Sequence, residues 1–406
     1  MEVTENRLKR AGQSGTPGEG LTFDNTEIAF SGKTNADLRR AYWLFKLIGN
    51  PVLTVAGKHL TNIALALRLP IKGLVKATIF KQFVGGETIA ECESTAKALS
   101  EYGVGTILDY SLEGKDDDRE FEATTVETLK TIDTANNNDS IPFSVFKVSG
   151  ICRNALLEKV STGAELTADE SYRYERLHAR VTTICRKAHD TGTPIFIDAE
   201  ESWIQPAIDA LAMEMMAQFN KEKAVVYNTL QMYRHDRLAH LKAAHETAVQ
   251  NGFYYGVKLV RGAYMEKERD RAEEKGYPSP IQPDKAATDR DFDAAVAYCL
   301  QHIDRIAFCA GTHNEASSLK LAQDMDRAGV AHHDKRIYFA QLYGMSDHIS
   351  FNLSNAGYNV AKYVPYGPVK EVMPYLIRRA EENTSVAGQV GRELGLIMKE
   401  RRRRKV

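Results

Sequence analysis

The chain has 406 residues, 43% of them hydrophobic and 26% charged, with a formal net charge of -1. This is the composition of an ordinary globular protein with room for a large core, and it excludes a chain built mainly to hold nucleic acid. The longest apolar run, residues 59–67, lies between Lys58 and Arg68 and is much shorter than the roughly 20 residues that cross a bilayer. Glu2 and Glu5, with no apolar stretch behind them, make a poor signal or transit peptide, so a cytoplasmic location is expected. Cys92, Cys152, Cys185, Cys299 and Cys309 are odd in number and form no C-x-x-C pair. Each sits in an apolar segment, which predicts buried free thiols in a reducing compartment.

Residues 1–35, rich in Gly, Ser, Thr and Asn without periodicity, are expected to be a flexible N-terminal tail. Residues 36–102 carry a helical pattern that includes a capping box at Thr88 and Glu91. Residues 103–385 then hold eight short β-rich runs separated by stretches long enough for helices. The runs are 105–110, 142–148, 194–199, 224–230, 255–260, 306–310, 336–340 and 358–364. Between them, Thr167 and Glu170 form a second capping box. Tyr174, Leu177, Val181, Ile184, Cys185 and Ala188 follow on one stripe, which Gly192-Thr193-Pro194 ends. Phe292, Val296, Cys299 and Ile303 make another stripe, and Leu319, Ala322 and Met325 a third. The charged segment 265–283, with Gly276 and three prolines, is expected to be a solvated loop, with a mobile lid as the alternative. Residues 386–406 are expected to be a C-terminal helix with a basic tail. The run Arg401 to Lys405 is read as a solvated helix end, with attraction to anionic lipid as the alternative. Eight strand–helix alternations predict an α/β fold, a (β/α)8 TIM-type barrel with an N-terminal helical extension, ahead of a doubly wound sheet.

In such a barrel the chemistry sits where the strands end. The runs end in Lys147, in Asp198-Ala199-Glu200-Glu201, in Gln231 and Tyr233, in Arg261-Gly262-Ala263-Tyr264 after Lys258, in Thr312-His313-Asn314, in Gln341, and at Tyr363. Beyond the eighth run, Tyr375, Arg378, Arg379 and Glu382 are spaced to share one helix face. Paired guanidinium forks suit a carboxylate; a solvated face with an Arg378–Glu382 ion pair is the plain alternative. His313 has no companion set of metal ligands, so no metal is expected. Lys147 or Lys258 as a Schiff-base lysine would make a barrel aldolase instead.

Asp198 to Glu201, residues 257–264 (VKLVRGAY), Thr312-His313-Asn314, Tyr375 to Arg379 and Glu382 to Ser385 together resemble the proline dehydrogenases, in the family's order, over roughly residues 83–385. The resemblance implies a distorted (β/α)8 barrel with FAD at its mouth. It also implies oxidation of L-proline to Δ1-pyrroline-5-carboxylate, electron delivery to a quinone, and a separate pyrroline-5-carboxylate dehydrogenase for the next step. By matched position, Lys147, Arg378 and Arg379 resemble the cations that bind the proline carboxylate. Tyr363, Tyr375 and Leu342 resemble the groups packed on its ring, and Asp198 the polar partner near the substrate and Lys147. Lys147, Asp198 and Tyr363 are thus the candidate catalytic residues. Gln231, Lys258, Tyr264, Thr312, His313, Asn314 and Gln341 are similar to cofactor contacts. Glu382 joins that set as the acid that pairs with an active-site arginine. This chain has Lys258 where many relatives carry Arg, Arg261 where they carry Lys, and Tyr343 where they often carry His. Glu113 resembles an acid that gates the site by pairing with Arg378. Electron delivery to quinone implies at most peripheral contact with an inner membrane. Hydroxyproline dehydrogenase is the near alternative, which Tyr363 disfavours; a barrel aldolase or hydrolase is the remote one.

Overall fold

The computed structural model describes residues 20–49, 72–110, 116–385 and 387–406, with backbone alone at 48, 72, 74, 380–385 and 387–390. The apolar run 59–67 and Glu113 lie outside the described residues, as does the side chain of Glu382. Contacts divide the chain into two compact units, residues 1–111 with 341–406, and residues 112–340.

The first unit begins with a helical turn, Thr26–Ala29, and helix α1, Asn35–Ile48, whose N-terminus is closed by a complete capping box of Thr34 and Asp37. Helix α2, Ile89–Ser100, starts where the Thr88 hydroxyl accepts from the Glu91 N–H, but the Glu91 carboxylate accepts from the Glu87 N–H at 3.0 Å rather than from Thr88, so half of the expected capping box forms. Strand β1, Val104–Tyr110, follows.

The second unit repeats strand and helix. Apart from a helical turn at Val148–Gly150 and a short helix at Asn154–Ser161, its elements up to β5 are α3 (Asp118–Asn136), β2 (Ser144–Phe146), α4 (Ala168–Thr191), β3 (Ile195–Ile197), α5 (Gln205–Phe219), β4 (Val226–Gln231), α6 (Arg237–Gln250) and β5 (Tyr255–Val260). Then come α7 (Met265–Lys275), α8 (Lys285–Gln301), β6 (Ile306–Gly311), α9 (Glu315–Arg327) and β7 (Ile337–Leu342). Helix α4 shows why these segments fold as they do. The Thr167–Glu170 capping box opens it, and Leu177, Val181, Ile184, Cys185 and Ala188 are buried along one stripe. Gly192 closes it at φ 70°, a conformation that favours glycine.

The first unit resumes with α10 (Asp347–Asn355), β8 (Val360–Tyr366), α11 (Val369–Ser385) and α12 (Ala387–Arg404). All eight strands belong to one sheet with order β1-β8-β7-β6-β5-β4-β3-β2. The pairings resolved within each unit, β1 with β8 and β2 through β7 in succession, are parallel. The fold is a (β/α)8 barrel in class, preceded by helices.

Two expectations change. The 265–283 segment is not a loop throughout: α7 occupies residues 265–275 and ends on Gly276 at φ 71°. It has no wide apolar stripe. Ion pairs of Lys267 with Glu201 and of Arg271 with Glu158 hold it instead, together with the fully buried Glu268, which accepts from the Ser202 N–H at 2.6 Å. The basic run is also not simply solvated. Arg404 donates to the carbonyls of Phe30 and Lys33 at 2.8 and 2.7 Å, Arg401 lies over the Tyr42 ring at 4.4 Å, and Glu400 is fully buried between Arg403 and Arg404. Arg402 and Lys405 remain exposed.

Candidate active site

In the second unit the strand ends bring together most of the polar side chains singled out from sequence. Lys258 of β5 and Asp198, just past β3, form a buried ion pair, with the ammonium 4.9 Å from the centre of the Phe196 ring. Sequence reasoning gave these two residues separate tasks, so their pairing is new. Gln231 ends β4 and is bonded through both side-chain polar atoms: its Nε2 donates to the Glu200 carbonyl at 2.7 Å, and its Oε1 accepts from the Ala263 N–H at 3.0 Å, which leaves one amide proton and one lone pair over. It therefore ties the loop after β3 to the loop after β5. Gly262 in that loop sits at φ 139°, and a Cβ there would run into the Tyr233 ring.

Arg261 was not assigned a site role from sequence, yet it organises the next strand end. Its guanidinium donates to Asp289 at 2.6 Å, to Ser317 at 2.9 Å and to the Thr312 hydroxyl, and lies 4.4 Å over the Phe292 ring. Thr312 also accepts from the Asn314 N–H at 3.0 Å, and the Asn314 side chain caps α9 by accepting from the Ser317 N–H at 3.1 Å. Thr312 and Asn314 thus shape the start of α9, with half-buried His313 between them. Tyr264 stands half-buried at the start of α7.

Glu200 lies two residues past Asp198 in the same strand-end segment. It is buried, accepting from the Ser149 N–H at 2.9 Å and from the Ser149 hydroxyl. Burial pushes its carboxyl up to about 7, against the pull of Ser149 and of nearby Lys147. A carboxyl raised from its ordinary 4.5 favours the neutral form, so it costs stability as pH rises from about 4.5 to about 7, reaching about 3 kcal/mol above that range. Glu200→Gln is neutral throughout. Its stability relative to the parent, read from urea midpoints, should therefore improve from pH 5 to about pH 7 and level off above that. A difference that does not change with pH would refute this assignment.

In the first unit, Tyr363 of β8 is buried and its carbonyl accepts from the Tyr343 N–H at 2.8 Å. Leu342 ends β7 half-buried, and the Gln341 side chain accepts from the Ser350 hydroxyl at 2.7 Å. On α11, Tyr375 and Arg379 are buried, with the Arg379 guanidinium 5.2 Å from the Tyr375 ring centre; Arg378 is half-buried. The i, i+4 spacing read from sequence accounts for that stacking. It sets a fixed, poorly hydrated cation beside an aromatic wall, an arrangement that can take an anionic group next to an apolar one.

The sequence model of the family described as proline dehydrogenase matches residues 92–392. The chain is 38% identical over 327 residues to the carbapenem antibiotics biosynthesis protein CarD of Pectobacterium carotovorum subsp. carotovorum, covering 80% of this chain and 84% of that one. It is 31% identical to the mitochondrial proline dehydrogenase 1 of Dictyostelium discoideum, over 95% of this chain and 75% of the relative. It is 30% identical to the hydroxyproline dehydrogenase of Xenopus laevis, over 95% and 90%. Among solved structures it is similar to proline utilization A (PutA) from Bdellovibrio bacteriovorus inactivated by N-propargylglycine. There the TM-score is 0.68 at 20% identity, covering 94% of this chain but only 41% of that one. The chain belongs to the proline dehydrogenase family, oxidoreductases that act on proline.

Proposed function

We propose that the protein oxidises L-proline to Δ1-pyrroline-5-carboxylate with FAD as its cofactor and a quinone as the final electron acceptor. The observation that carries this reading is the family match over residues 92–392, which includes the buried Arg379 stacked on Tyr375. The residues present fit a flavin. Lys258 and Arg261 place two cations on one strand end, and the 13-residue helix α9 starts immediately after Thr312-His313-Asn314. Cations and helix N-termini suit a diphosphate, and a cation favours the negative charge of a reduced ring. When bound, FAD supplies the acceptor for the hydride that leaves the proline carbon next to nitrogen.

In this reading Arg378, Arg379 and Lys147 neutralise the proline carboxylate. Tyr363, Tyr375 and Leu342 hold the ring and keep water off it. Asp198 fixes the Lys258 ammonium, and Lys258, Gln231, Tyr264, Thr312, His313, Asn314, Gln341 and Glu382 form the cofactor side. Pyrroline-5-carboxylate passes to a separate dehydrogenase. The location is cytoplasmic or peripheral at an inner membrane, where exposed Arg402 and Lys405 meet anionic lipid; no described helix is long and apolar enough to cross a membrane.

The purified protein should be yellow, and proline should bleach it in the absence of oxygen. A quinone in anionic vesicles at low salt should then restore the colour. A colourless, folded protein that cannot be reconstituted with FAD would sink the reading. The similarity to a hydroxyproline dehydrogenase supports a second reading, and faster bleaching by hydroxyproline than by proline would establish it.

A further inference from the structure

Strand β8 is buried along its whole length and contains one lysine. Side chains alternate along a strand, so Lys362 faces away from the side that Tyr363 occupies. Lys362 is 0% exposed. An ammonium in that position is tolerable only if its protons are all received. They are received by the Asp347 carboxylate at 2.9 Å, by the Leu342 carbonyl at 3.4 Å and by the Met345 carbonyl. All three acceptors lie between the end of β7 and the first residue of α10.

This connection, residues 342–346, does not follow the chain's local preference. Gly344 sits at φ 78°, where a Cβ would collide with the Gln82 carbonyl, and Ser346 is at φ 51° although it is not glycine. Buried polar groups hold it in place. Gln82 donates to the Gly344 carbonyl at 2.8 Å, and the Ser346 N–H donates to the Glu393 carboxylate at 3.1 Å. At its start, the Tyr343 N–H is bonded to the Tyr363 carbonyl. Burial alone would raise the Asp347 carboxyl, but Lys33 and Lys362 outweigh it and hold it at about 2, so the carboxylate stays charged. Its second oxygen pairs with Lys33 at 3.3 Å, which links the segment before α1 to the same loop.

We propose that Lys362, with its counter-ion Asp347, is a positioning residue for the substrate ring: it fixes the β7–α10 connection and, through it, the wall formed by Leu342 and Tyr363. The proposal rests on the proline-oxidising reading above. A lysine suits the task because three protons on one compact centre can meet three convergent acceptors; the planar fork of arginine cannot.

Lys362→Met keeps the length and bulk of the side chain and removes its donors. In the flavin-loaded variant the proline KM should rise about tenfold with kcat within about threefold, the pattern of lost ground-state fit rather than lost chemistry. The ratio of hydroxyproline to proline turnover should rise as the wall loosens, and amide exchange at residues 342–346 should accelerate. An unchanged KM and an unchanged ratio in a variant that still oxidises proline would overturn the proposal. If Lys362→Met cannot be obtained folded, the partly exposed Lys33→Met decides in its place: a smaller KM rise with faster exchange at 342–346 supports the proposal, and neither change overturns it. If the parent protein does not oxidise proline, the functional reading fails, and the exchange rates still judge whether Lys362 holds the loop.

Discussion

Arg379→Met should raise the KM for proline by about thirtyfold or more, while the flavin stays bound. Truncating one partner of a desolvated charge pair typically costs about 2–5 kcal/mol, and each 1.36 kcal/mol is a factor of ten. Arg379 is the better placed of the two arginines to show the full effect, because it is buried against Tyr375 whereas Arg378 is only half-buried. Arg378→Met should move KM in the same direction by less. Steady-state kinetics together with the visible spectrum of each variant make the check. Normal proline KM values in both would remove the carboxylate clamp from the mechanism.

Asp198→Ala should cost more in stability than any other single change at the strand ends. It leaves the Lys258 ammonium buried without its carboxylate, and breaking such a pair typically costs about 3–5 kcal/mol. Replacing both members by apolar groups removes the stranded charge, so Asp198→Ala combined with Lys258→Met should regain most of the loss. Activity should not return if Lys258 is, as proposed, the cation on the cofactor side. Urea midpoints of the two single variants and the double variant form the cycle. If the double variant is no more stable than Asp198→Ala alone, the loss does not come from a stranded Lys258 charge.

Much of the fold is legible in the sequence because short runs of β-branched and aromatic residues alternate with capped, striped helices. Residues 255–260 are bounded the same way by pattern and by structure, and the other runs differ only at their ends. Helix α7 was not legible by that route. It has almost no apolar face, and what holds it are ion pairs and a buried glutamate to residues far away in sequence. A usable signal was nonetheless present: a run of strong helix formers ending at Gly276. The strand-end polar groups were found by position, but not their partners. Nothing local says that Asp198 meets Lys258 or that Arg261 reaches Thr312, since each pair joins different strand ends. Lys362 was overlooked for the opposite reason. A lysine inside a run otherwise read as a buried strand is an anomaly, and its explanation lies in the turn of the preceding connection.

The five cysteines have a practical use. All are buried free thiols, and burial pushes Cys92, Cys152 and Cys309 up to about 12 and the other two higher still. A thiolate is the reactive form, so in the native fold these sites are silent toward alkylating reagents. Each becomes a clock that starts only when its surroundings open. Cys92 belongs to the unit formed by the chain's two ends, and the other four belong to residues 112–340. Alkylation rates resolved by peptide would therefore time the breathing of the two halves independently, in the unmodified protein and without any introduced label.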